Sequence, residues 1–330
     1  MYSKINYFLA AFFIVLTSFG QEGVAVYSDY LSDNYYLIHP SMAGAANCDK
    51  IRLTARGQWF GQQDAPALQT LSYNGRIGER SGGGIILFND RNGYHAQKGV
   101  KITYTHHILF SRDEIDLNQF SFGISGGIIQ SQLDETDFPQ SNDPDPIIAG
   151  NMQSETYANF DVGVSYNFLD MYFHATVKNI FESRRRIYTD YESDNLRKYL
   201  LSGGYIFGGY DRLKWEPSIL VQYAERTQEK SLDLNLKAYK NFDEGMIWGG
   251  LSYRTAIGVQ KVKGNTGSNQ KLQYVTPIFG VNYKKIMFAY TYSVVSGDVK
   301  YDNGAYHQIT LGINLSCRKE KYDCYCPAVN

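Results

Sequence analysis

The sequence predicts an all-β fold, a transmembrane antiparallel β-barrel of about 14 strands of the outer-membrane type. Three observations lead there. Apolar and polar residues alternate with period two along most of the chain, the mark of strands with two unlike faces. Aromatic residues reach 15%, with Tyr 28 and Gly 31 against only Pro 8, a composition that favours strands over helices. After the first 20 residues no apolar run recurs that could cross a membrane as a helix, so any crossing is made by strands.

Charge and hydropathy narrow the function classes. Lys+Arg 32 against Asp+Glu 33 give a formal net charge of −1, which excludes a basic protein that binds nucleic acid through its phosphates. A mean hydropathy of −0.36 is too polar for a bundle of membrane helices. A soluble sandwich or propeller is the competing architecture, and strand length argues against it below.

The chain opens with Lys4, an apolar run from Phe8 to Phe19, and Ser18 and Gly20 at the small-residue positions. This describes a secretory signal peptide over residues 1–20; the run is short for a membrane anchor. Export places Cys48, Cys317, Cys324 and Cys326 in an oxidising compartment. Residues 21–48 carry Tyr27, Tyr30, Tyr35 and Tyr36 without strand alternation. They are expected to fold back into the barrel mouth or lumen, where small inward residues such as Gly250 and Ser252 leave room.

The barrel is assigned to residues 49–317. Its strands are expected near 50–60, 67–77, 82–90, 95–109, 115–131, 154–169, 171–181, 197–208, 213–225, 230–241, 245–260, 269–283, 285–296 and 304–317. Ile309, Leu311, Ile313 and Leu315 alternate with Gln308, Thr310, Gly312 and Asn314; Leu232, Leu234 and Leu236 alternate with Asp233, Asn235 and Lys237. Many segments reach the ~9–11 residues a tilted membrane strand needs, longer than strands in soluble sheets. Connections alternate between short (Leu169–Asp170, Lys284) and long (Ser131–Gln153, Glu182–Asn195), as periplasmic turns and outer loops do. Residues 318–330 form a periplasmic C-terminal tail.

Several motifs are more specific. His39-Pro40-Ser41-Met42-Ala43-Gly44 resembles an N-P-x-x-A-G segment, with His39 in place of Asn. Arg56-Gly57-Gln58-Trp59-Phe60-Gly61 resembles R-x-Q-W-x-G. Asp64-Ala65-Pro66-Ala67-Leu68-Gln69-Thr70-Leu71-Ser72 resembles G-A-P-x-T-Q-T-L-S, and Asn89-Asp90-Arg91-Asn92-Gly93 an N-D-x-x-G turn. Together with the Cys326-Pro327-Ala328-Val329 ending, they resemble the PorP/SprF family of Bacteroidetes outer-membrane proteins. The resemblance implies an outer-membrane component or accessory of type IX secretion. It would support secretion or surface attachment of a partner such as a large gliding adhesin, through the partner's C-terminal domain, or couple to periplasmic ring or lipoprotein components. Read from the residues alone, Pro40 and Gly44 set a turn, Trp59 suits the outer interface, and the Asn-rich run before Gly93 is hairpin chemistry.

No catalytic constellation emerges. The six histidines (His39, His95, His106, His107, His174 and His307) have no metal spacing, and no nucleophile elbow is present. The protein is therefore expected to be no enzyme and to need no cofactor. Asp134, Glu135, Asp137, Asp143 and Asp145 crowd one loop, which reads first as solvated surface with a divalent-ion or partner contact as the alternative. Arg184, Arg185 and Arg186 in another read as solvated charge or contact with outer-membrane lipid headgroups, with a partner site as the alternative. Cys48 precedes the first strand and Cys317 ends the last, so a barrel seam brings them together; a bond from Cys48 to Cys324 or Cys326 is the alternative. Cys324 and Cys326 form a second pair or stay free. The rival function is a diffusion channel or transporter for a small solute.

Overall fold

A computed structural model describes residues 29–32, 34–58, 65–110, 117–136, 150–183, 197–209, 212–257, 272–297 and 305–317. Fourteen strands form one closed barrel, each antiparallel to its sequence neighbours, and β1 closes on β14. They are β1 Asp49–Gln58, β2 Ala67–Arg76, β3 Ser81–Asn92, β4 His95–Leu109, β5 Asn118–Asp134, β6 Met152–Phe168 and β7 Met171–Lys178. The other half is β8 Lys198–Tyr205, β9 Lys214–Ala224, β10 Lys230–Phe242, β11 Gly245–Ile257, β12 Leu272–Tyr283, β13 Ile286–Gly297 and β14 Tyr306–Leu315. The expected count and order hold. Among the described residues no helix is long and apolar enough to cross a membrane, so every crossing described is a strand, with its backbone bonds supplied by neighbours.

Alternation sets which side faces lipid. On β10, Leu234 and Leu236 point outward, while Asp233, Asn235 and Lys237 between them point into the lumen; Leu236 is 46% exposed and Lys237 1%. Leu53, Leu71, Leu87, Ile102, Leu251, Phe279 and Leu311 continue the apolar outer surface around the barrel. This inverts a soluble protein: the apolar face is solvated, by hydrocarbon, and the core is polar. Tyr166, Phe168, Tyr205, Phe207, Trp215, Phe242 and Tyr283 lie exposed on strand ends or turns at the rim that carries the short turns. That rim gains the amphipathic rings an interface favours.

Loop lengths orient the barrel. One end carries the tight turns Leu169–Asp170, Asp243–Glu244 and Lys284–Lys285, together with Cys48 and Cys317; the other carries the long connections. Termini and short turns mark the periplasmic end. Two connections at the outer end are short as well: residues 225–229 between β9 and β10, and the two-residue Gly93–Tyr94 connection, closed by paired Asn92 and His95, where Gly93 takes φ +60 at no steric penalty.

Two strands end earlier than alternation suggests. β7 stops at Lys178 rather than near 181 because Asn179 turns left-handed, at φ 54. β8 covers Lys198–Tyr205 only. β7 and β8 have 8 residues each, against 17 in β5 and β6, so β6 runs on past the outer end of β7.

A disulfide joins Cys48 to Cys317 across the β1–β14 seam, closing a sequence separation of 269. A loop of that size removes enough denatured-state entropy to stabilise by roughly 5 kcal/mol in the chain-entropy model. Cys48→Ser is accordingly expected to lower the denaturation midpoint of the detergent-solubilised barrel, and reducing agent should do the same to the wild type but nothing further to the variant. Equal midpoints for the two proteins under oxidising conditions would remove the bond's assigned role. Cys324 and Cys326 lie outside the described residues.

Candidate functional site

The site is the lumen, and it is filled. Residues 34–48 run from mid-barrel down to the periplasmic end as short 3-10 turns, Tyr35–Leu37 and Pro40–Met42, preceded by Asp29–Ser32. Leu31, Ile38, His39, Ser41, Ala43 and Ala45 are at most 2% exposed. A segment with irregular backbone tolerates this only where the surrounding wall supplies hydrogen bonds.

The wall supplies them from all sides. Asn34 Nδ2 donates to Ser72 Oγ on β2 at 3.2 Å, and Tyr36 Oη donates to Thr103 Oγ1 on β4 at 2.9 Å. Thr105 Oγ1 donates to the Pro40 carbonyl at 2.9 Å, and Ser41 Oγ lies 2.6 Å from Ser165 Oγ on β6. His39 is held at both nitrogens: Nδ1 lies 2.8 Å from Thr176 Oγ1 on β7, and Nε2 lies 2.8 Å from Ser202 Oγ on β8. Lys178 Nζ donates to the Leu37 carbonyl at 3.0 Å, and Arg76 Nε to the Gly44 carbonyl at 3.0 Å.

Deeper toward β9 and β10 stands a charged cluster. Glu216 accepts hydrogen bonds from Tyr35 Oη (3.1 Å), Tyr172 Oη (2.5 Å) and Tyr239 Oη, and pairs with Lys237 Nζ at 3.2 Å. A buried carboxylate is sustained by such surroundings, since each lone pair finds a donor and a cation neutralises it. Trp248, Met287 and Ala289 close the cluster's apolar flank with Leu31, Ile38 and Met42. Above it, Arg254 binds Asp233 through two hydrogen bonds of 2.6 and 2.5 Å.

Small wall residues fit the segment closely. A Cβ on Gly82 would lie 2.2 Å from the Ala43 carbonyl oxygen, and one on Gly123 would lie 2.5 Å from Pro40 backbone. Gly44 has φ +66 and rests against Gly75 and Gly82. The His39-Pro40-x-x-Ala43-Gly44 motif therefore lies inside the barrel and meets the wall, not a surface partner.

The remaining motif residues scatter. Arg56 and Gln58 lie at the outer end of β1, Arg56 with its guanidinium 5.4 Å from the Tyr306 ring. Ala65 and Pro66 lead into β2, where the Pro66 carbonyl accepts from Gln58 N–H at 3.0 Å. Thr70 and Ser72 face the lumen, Gln69 and Leu71 the exterior, and Gln69 pairs with Asn89 of β3. Asp90 precedes the Gly93 hairpin. Trp59, Gly61, most of the acidic loop and Arg184–Arg186 lie outside the described residues. Among the described residues no group of His, Cys, Asp and Glu is arranged to hold a metal. Glu216 and Tyr172 escape notice in the sequence, and Lys237 stands out there only as part of the polar face of its strand; the inward register of Tyr172, Glu216, Lys237 and Tyr239 on β7, β9 and β10 is the signal that joins them.

A family model described as "Type IX secretion system membrane protein PorP/SprF" matches residues 19–313. No curated protein matches the chain. Among solved structures, the CymD monoaromatic hydrocarbon channel aligns at 12% identity over 86% of this chain and 91% of that one, with a TM-score of 0.49. A Pseudomonas aeruginosa FadL homologue aligns at 10% identity over 86% and 94%, with a TM-score of 0.46. A bacterial polysaccharide outer membrane secretin aligns at 11% identity over 82% and 99%, with a TM-score of 0.41.

Proposed function

Because the chain belongs to the PorP/SprF family of type IX secretion membrane proteins, we propose that this outer-membrane barrel is a docking station and carries out no chemistry of its own. It supports the secretion or surface attachment of a partner protein such as a large adhesin, or couples the secretion system's periplasmic components to the outer membrane. The observation that carries this reading is the filled lumen. Inward residues on opposite walls, among them Thr54, Thr105, Ser121, Ser165, Ser202, Leu220, Tyr239, Trp248 and Thr310, are at most 1% exposed, except Ser202 at 4%. A diffusion channel needs such a wall wet. With its inside occupied, the barrel has its rims and loops left to offer, and these bind proteins rather than pass solutes.

Deleting the gene and biotinylating intact cells provides the test. The surface should lose one or more exported proteins while uptake of small solutes stays at the wild-type rate. An unchanged set of surface proteins together with impaired uptake would favour the solute transporter and overturn the docking reading.

A further inference from the structure

A closed barrel has no sheet edge, yet among the described residues one reappears at the outer rim of this one. β6 pairs with β5 along its whole length, Met152 opposite Asp134 to Phe168 opposite Asn118. On its other side it pairs with β7 only from Val162 to Phe168. Ten residues, Met152–Asp161, therefore rise above the end of β7, at about 3.3 Å per residue.

The foot of this edge is already in use. Ile180 N–H donates to the Phe160 carbonyl at 2.9 Å, and Ser183 Oγ donates to the Ala158 carbonyl at 3.2 Å. Arg197 braces the floor, donating to the Ile180 carbonyl at 3.1 and 2.7 Å and to the Glu225 carboxylate at 3.2 and 3.1 Å. Because the Phe160 carbonyl points to this side, strand alternation turns the backbone N–H and C=O of Ala158, Thr156, Ser154 and Met152 the same way; the residues between them serve β5. Among the described residues no strand meets Thr156, Ser154 or Met152 on this side.

Three features make this an edge open to pairing. Proteins guard edges with Pro, Lys and other charged side chains, bulges or extreme shortness; Met152–Ala158 contains neither Pro nor Lys, its one charged side chain is Glu155, and it runs unbroken in register with β5. The side chains of Ser154, Thr156 and Ala158 are small and exposed, so nothing bulky bars an approaching strand. The edge also stands at the outer rim, where the surface-attachment form of the docking reading places a partner. Successive backbone donor–acceptor pairs on alternate residues are matched by one kind of ligand, another extended chain.

We propose that the upper edge of β6 captures an extended segment of the exported partner, which adds as a further strand alongside Met152–Ala158. This rests on the docking reading above and names the place and the mode of contact.

Thr156→Pro in the full-length protein removes one outward N–H and sets a ring in the partner's path, while the bonds to β5 stay intact. Thr156→Val keeps the N–H and serves as control. Surface biotinylation follows whichever exported proteins the gene deletion removes, and heat-modifiable gel migration checks that each barrel is folded. Thr156→Pro should lower those proteins at the surface about tenfold, the effect of roughly one backbone hydrogen bond plus a steric block, and Thr156→Val should leave them unchanged. A photocrosslinker at position 154 should join to the same exported protein. Wild-type display by a folded Thr156→Pro barrel overturns the proposal, as does a crosslink confined to the chain's own residues 184–196. If deletion removes no surface protein at all, the docking reading itself fails.

Discussion

Excising residues 29–47 while keeping Cys48 should turn a closed barrel into a conducting one. Fourteen strands lie between the eight whose interior is filled by side chains and the 16–18 of porins with aqueous channels. A barrel of this size is sealed by an added element, and the inserted segment is that element. Its removal leaves Glu216, Lys237, Asp233, Arg254, Thr105 and Ser165 lining the bore, and water can solvate them all. The strand ladders do not depend on the segment, so the barrel should still assemble. Planar-bilayer recordings should show steady open steps in the excised protein and none in the wild type, and solute flux into liposomes should rise on the order of tenfold or more. A wild type that conducts as well as the excised protein would show that the segment is no seal.

Glu216→Leu should be the most destabilising single change in the lumen. Three tyrosine hydroxyls lose their carboxylate acceptor and Lys237 loses its counterion, all at positions no more than 8% exposed. Leaving a buried charge without its counterion costs about 3–5 kcal/mol. Adding Lys237→Met should recover much of that loss, because an apolar pair of similar volume needs no solvation. Urea midpoints in detergent, with limited proteolysis to detect release of the inserted segment, separate the outcomes. A Glu216→Leu protein as resistant as wild type would show that the cluster contributes packing alone.

Period-two alternation was enough to place all fourteen strands, since a sheet between lipid and a polar lumen has two unlike faces at every residue. It also located the seam near Cys48 and Cys317. Alternation says nothing about where a strand's partner stops, so the early ends of β7 and β8 were hidden: Met171 to Phe181 keeps its pattern past Asn179, whose left-handed turn breaks the ladder. The inserted segment was legible as an aromatic stretch without strand character that belongs in the barrel mouth or lumen, but not as a set of contacts. Its fit depends on contacts spread over the chain, such as His39 to Thr176 and Ser202, or Tyr35 to Glu216, and no local pattern encodes those. For the same reason the His39–Gly44 motif reads as a turn in sequence and becomes a lumen lining in three dimensions.

The seam has a further consequence for biogenesis. The inserted segment packs against wall strands from β2 around to β13, and its lower end leads through Cys48 into the first strand. Cys317, at the end of the last strand, arrives beside Cys48 only when β14 has zipped onto β1. The oxidised bond is thus a chemical timestamp: it forms at the final step and separates finished molecules from every intermediate by a simple thiol count.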